Sequence, residues 1–154
     1  MSAPIPLAEM IETLTNALPD TQVQEAMGNL FFFAGEERNF PFATLVTRDD
    51  DYDNFSQLDQ SGAYRLSVGV RKQTFGALFP RMEEEAPESD YTVLDTLMPH
   101  PIYGKMYWLC VLSPCASTFS SMEPLLRESY ELQSNRTQRR TSGGEAEDCP
   151  PTLA

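Results

Sequence analysis

The chain has 154 residues, 41% apolar and 22% charged, the length and composition of one ordinary globular domain. Its net charge of −12 argues against nucleic acid as a partner, because that affinity rests on Lys and Arg displacing counterions from phosphate. No apolar run approaches the roughly 20 residues of a membrane span, and Met-Ser-Ala-Pro-Ile-Pro lacks the regions of a signal peptide.

Pro6 to Leu18 is expected to be helical. Leu7, Met10, Ile11, Leu14 and Leu18 recur at helical spacing, and Pro19 ends the run. Asp20 to Met27 reads as a short strand anchored by Val23. Gly28 then turns the chain, and Leu30-Phe31-Phe32-Phe33 reads as an aromatic strand apolar on both faces. A polar turn spans Gly35 to Asn39, and Pro41 to Thr47 is rich in β-formers. Arg48 to Gly62 is polar and aspartate-rich, with a helical turn around Phe55 to Leu58.

Ala63 to Val70 gives the clearest alternation. Tyr64, Leu66, Val68 and Val70 share one face, and Arg65, Ser67 and Gly69 share the other. Gln73 to Phe79 reads as a short helix closed by Pro80, and Met82 to Asp90 as an acidic loop. Tyr91 to Leu97 reads as helical. MPHPIYGK reads as irregular, since prolines flank His100. Met106 to Leu112 is a buried strand, and Ser117 to Ser134 the last helix, with Pro124 marking a start near Glu123 or a kink.

These elements predict an α+β fold, an antiparallel sheet of about five strands with flanking N- and C-terminal helices. A single domain is expected over residues 1–133. A disordered tail is expected over 134–154, which is rich in Ser, Thr, Gly and Pro. In that tail Arg136, Arg139 and Arg140 balance Glu145, Glu147 and Asp148, so the whole net charge falls on the folded part. Three cysteines, Cys110, Cys115 and Cys149, form no CxxC pair and read as reduced thiols of a cytoplasmic protein.

His100 is the only histidine, and hence the only side chain whose unperturbed pKa lies near neutrality. Held between prolines with Tyr103 three residues on, it suggests an acid/base pair, against the plainer role of capping a turn or satisfying buried carbonyls in an irregular loop. Arg65, mid-strand, requires a carboxylate partner or an anionic ligand. Asp49, Asp50, Asp51, Asp53 and Asp59 are the nearest candidate partners in sequence. The DDDYD run, 49–53, lacks the spacing of a calcium loop and reads as a solvated loop, so no metal is expected. Cys110 alternates with Trp108 and Leu112 and reads as a core thiol, and Cys115 is a weak nucleophile signal beside a helix start. Phosphate-binding, dinucleotide, hydrolase-elbow and zinc-protease motifs are absent, and no cofactor is expected.

Several stretches together resemble domain-of-unknown-function family 6194. They are GNLFFF (28–33), PFATLVTRDDDYD (41–53), LDQSGAYRLSVGV (58–70), DYTVLDTLMPHPIYG (90–104) and YWLCVLSP (107–114). The likeness spans about residues 7 to 135, and PHPIY is its most specific piece. More distantly, the helix ending near "LP", the Trp-bearing strand and LLRESYEL (125–132) make the layout look like the MmcQ/YjbR-like domains. That likeness implies an antiparallel sheet flanked by helices. Neither family supplies a catalytic residue to transfer.

Two functions compete. One is a cofactor-independent small-molecule enzyme, of isomerase, lyase or cyclase type, as used in specialised biosynthesis. In it His100 would be acid/base, Tyr103 a donor and Arg65 an anion stabiliser, while Ser67, Trp108 and Asp49 would line the ligand site. The other is a non-catalytic module that binds a small molecule or a protein, a homodimer being one case.

Overall fold

The structure, a computed structural model, describes residues 3–35, 40–49, 56, 58, 63–80 and 91–141, the last seven by their backbone alone. The turn expected at 36–39, the helical turn around Phe55 and the acidic loop at 82–90 lie outside the described residues.

Helix α1 spans Leu7–Ala17 and buries Met10 and Leu14, as the spacing predicts. Leu18, extended ahead of Pro19, ends it. Strands β1 (Thr21–Ala26) and β2 (Asn29–Ala34) form a hairpin in which Ala26 faces Asn29 across Met27-Gly28. Both turn residues have positive φ, 57° at Met27 and 84° at Gly28, the mark of a primed two-residue turn. Glycine suits that conformation, whereas Met27 does not and is 86% exposed. Met27→Asn should therefore raise stability by about 1 kcal/mol, read as a higher urea midpoint with an unchanged slope.

Strands β3 (Ala43–Val46) and β4 (Arg65–Gly69) continue the antiparallel meander. After helix α2 (Lys72–Leu78) come β5 (Met98–Pro99), a short 3₁₀ turn (Gly104–Met106) and β6 (Trp108–Leu112). Among the described residues the sheet has six strands in the order β1-β2-β3-β4-β6-β5, every pair antiparallel.

The α+β class, antiparallel sheet and flanking helices agree with the sequence reading. The strand beyond the expected five is β5, in the segment read as irregular. It is two residues long and lies at the sheet edge, where proline is tolerated. Tyr91 to Leu97 is turns and a bridge rather than a helix, because Leu94 pairs with Leu112 and Asp95 takes a positive φ of 60°.

Helix α3 runs from Ala116 to Thr141. It begins ahead of Pro124 rather than near Glu123, with Phe119 and Met122 buried in its opening turns. The Asp95 carboxylate accepts the Cys115 N–H at 2.9 Å, which satisfies an amide at its start. That hydrogen bond and one from Thr118 hold the Asp95 carboxyl below its ordinary pKa. The helix also passes the expected end at Ser134, since no Gly or Pro interrupts residues 134–142.

The helices cover one sheet face. Phe32, Leu45, Leu66, Val68, Leu109 and Val111 pack there against Met10, Leu14, Phe75, Phe119, Met122 and Leu126. On the other face a smaller cluster joins Leu58, Ala63, Met98, Cys110 and Leu112. This second face carries the polar side chains.

Candidate functional site

Strand alternation sends Arg65, Ser67 and Gly69 of β4 to the second face, away from the helices. The register sets Arg65 opposite Val46 and Leu112, Ser67 opposite Thr44 and Cys110, and Gly69 opposite Trp108. Met98 faces Cys110, and the His100 N–H donates to the Trp108 carbonyl at 3.0 Å, placing His100 beside Trp108. Gly69 of β4, Trp108 of β6 and His100, just after β5, therefore form one row across the sheet.

His100 is 5% exposed. Its Nδ1 accepts the backbone N–H groups of Ile102 and Tyr103, each at 3.0 Å, and its carbonyl accepts from Gly104. An acceptor at Nδ1 places the proton of the neutral ring on Nε2. Burial, and then the positive charge of Arg65, push the His100 pKa down to about 3. The imidazole is neutral through the physiological range. The titration near neutrality that an acid/base role would use is thus displaced by burial.

Arg65 is fully buried, and its Nη1 donates to Ser56 Oγ at 3.3 Å. Of its expected aspartate partners, Asp50, Asp51, Asp53 and Asp59 lie outside the described residues. Asp49 is half-buried and accepts the Leu58 N–H at 2.8 Å. Ser67 is also fully buried, and among the described residues its hydroxyl has no hydrogen-bond partner. A buried orphan hydroxyl costs about 1–3 kcal/mol, so Ser67→Ala should be neutral or stabilising in a denaturant titration.

Tyr103 is 50% exposed, its ring centroid 4.9 Å from that of His100 at a 43° tilt. It flanks the imidazole from outside rather than joining Arg65 and Ser67 below. Trp108 is half-buried and lies over Gly69. A Cβ on Gly69 would stand 2.5 Å from the indole Nε1 and 2.6 Å from Cε2. The missing side chain is what lets the ring lie against β4.

The structure thus gathers His100, Trp108 and Ser67 on one face, with Arg65 close enough for its charge to act on His100. Two residues escaped the sequence reading. Ser56 stands in a polar stretch without a distinguishing pattern. Gly69 interrupts an otherwise regular strand, the usual sign of a close approach.

Elsewhere, Cys115 is 5% exposed with Sγ 3.5 Å from Thr118 Oγ1. Among the described residues no group of three or more His, Cys, Asp or Glu could hold a metal ion, and no helix is long and apolar enough to cross a membrane. Open clefts of about 470 and 370 Å³ lie beside α3, and neither is lined by His100, Arg65, Ser67 or Trp108.

An α+β domain with a polar row on the sheet face opposite its helices is the class defined by this geometry. The family of unknown function DUF6194 matches residues 5–142, and the chain belongs to that family. The comparisons do not show the MmcQ/YjbR-like relationship. No curated protein and no solved structure matches the chain.

Proposed function

We propose that this domain binds a small molecule on the second face of its sheet, at the row formed by His100, Trp108 and Gly69. The observation that carries the reading is the state of His100. Its Nδ1 is occupied by the turn, yet among the described residues nothing accepts from its Nε2–H. With Nδ1 held by the turn, Nε2–H is the polar group that His100 has left for a ligand, whose acceptor would take the place of water.

The two ring nitrogens can be separated by mutation. Asn places an acceptor where Nδ1 stands, so His100→Asn should keep the turn and remove the outward donor. Gln reaches the Nε2 position instead. A fragment screen read through Trp108, the only tryptophan of the chain, tests the proposal. Fragments that quench its emission should bind His100→Asn about tenfold more weakly, the size of one neutral hydrogen bond, at an unchanged melting temperature. His100→Gln should melt lower while retaining more of the binding. Equal affinity for wild type and His100→Asn would remove His100 from the site, and no quenching fragment at all would remove the site.

The fixed tautomer also favours a second reading, a cofactor-independent isomerase, lyase or cyclase. A neutral imidazole held with Nε2–H outward can polarise a substrate carbonyl without itself titrating. His100 would then be an electrophilic donor rather than the acid/base of the sequence reading. Proton transfer would need a second group.

A further inference from the structure

The two edges of the sheet are unlike. At one end β5 is two residues long and contains Pro99, so it offers little backbone for pairing. At the other, β1 runs for six residues, as long as β2, with an unbroken register and no Pro, Lys or Arg in Thr21–Ala26. Short strands, prolines, lysines and bulges are what keep an edge from pairing, and β1 has none of them.

The hairpin register fixes which backbone groups of β1 are used. The Gly35 N–H donates to the Asp20 carbonyl at 2.9 Å, so Gln22, Gln24 and Ala26, in phase with Asp20, bond inward to β2. Phe32, opposite Val23, sends its carbonyl the other way, to the Phe42 N–H at 2.7 Å. Thr21, Val23 and Glu25 therefore direct their N–H and C=O groups outward. Among the described residues those groups have no hydrogen-bond partner.

We infer that β1 pairs antiparallel with β1 of a second copy, about a two-fold axis at Val23, joining two sheets into one. An axis normal to the sheet keeps facing side chains on one side, so Val23 meets Val23 of the partner subunit and Thr21 meets the partner's Glu25. All three outward residues then fall in hydrogen-bonded pairs, each exchanging both N–H···O bonds. Val23, half-buried against the core, gains an apolar neighbour. Glu25 is the only charged residue of the strand. Facing Thr21, its two copies stand roughly 14 Å apart, beyond the Debye length of about 8 Å at physiological salt. Because the β5 edge is blunted, the pairing closes at a dimer instead of continuing into a fibre. β1 lies at the far end of the sheet from His100, so this inference and the ligand site stand or fall separately.

Sedimentation velocity on the full chain, with nitrogen-15 NMR of the same samples, tests the dimer. The sedimentation coefficient should rise with concentration towards a dimer value, and the Thr21, Val23 and Glu25 amide signals should shift with it. Glu25→Pro removes an outward N–H and leaves the inward bonds of the hairpin, so it should abolish association although it also removes a negative charge. Thr21→Lys sets a cation against the partner's Glu25 twice per dimer. It should tighten association about fivefold relative to Gln22→Lys, which makes the same change of charge on the other face. Equal effects of these two substitutions would overturn the Val23-centred pairing. So would a monomer up to about 1 mM, or a dimer that leaves those amides unmoved and is indifferent to Glu25→Pro.

Discussion

Lowering the pH from 7 to 5 should cost the folded chain about 2 kcal/mol through His100 alone, and His100→Asn should abolish that loss. The sign follows from where the proton goes. The unfolded imidazole titrates at its ordinary 6.5, whereas the folded one resists protonation down to about 3. Between these values the unfolded chain holds a proton that the native chain does not. The contribution is complete only well above pH 6.5, and below that it falls at up to about 1.4 kcal/mol per unit as pH drops towards 3. Carboxylates add their own titration lower in the range, so the difference between wild type and His100→Asn isolates the ring. With one histidine in the chain, urea denaturation at pH 7, 6 and 5 suffices. Parallel curves for the two proteins would show that His100 titrates normally, and the buried neutral imidazole would be lost from the account.

Gly69→Ala should destabilise the protein by about 1–3 kcal/mol, although glycine in a strand is ordinarily the weaker residue. The new methyl group would sit 2.5 Å from the Trp108 Nε1, so the indole must leave its seat. Gly76, in α2, is the matched control. A Cβ there meets nothing within 4 Å, and Gly76→Ala should gain about 0.5–1 kcal/mol from the helix preference alone. Opposite signs for the two substitutions, with a changed Trp108 emission only in Gly69→Ala, are the expected result. A stabilised Gly69→Ala with unaltered emission would mean that the indole does not rest on β4.

Where one periodicity governs a segment, the fold was legible beforehand. The stripe of Met10 and Leu14 and the alternation of Leu66 and Val68 with Arg65 and Ser67 both match the observed faces. Segments governed by long-range pairing were not legible. Pro99 reads as a strand breaker, yet it stands in an edge strand held by β6. Leu94 and Asp95 fit a helical pattern locally, but one bridges to Leu112 and the other bonds the start of α3.

The candidate site divides in the same way. That Arg65, Ser67 and Gly69 share a face follows from alternation alone. That His100 joins them depends on β5 pairing with β6, which no local pattern contains. A turn-capping role is one of the two plain alternatives that the sequence offers for His100, and Nδ1 reaching the amides two and three residues on is the Asx-turn arrangement with imidazole in place of a carboxamide. The depressed pKa required knowledge of burial and of the Arg65 charge, neither of which has a sequence signature.

Nitrogen-15 NMR of the His100 imidazole measures directly the protonation state on which the proposed site depends. Recorded from pH 7 to 4, the spectrum should show a single neutral tautomer, protonated at Nε2 and unprotonated at Nδ1, with no midpoint in that range. A midpoint near 6.5, or a proton on Nδ1, would contradict both the turn cap and the outward donor on which the proposed site depends.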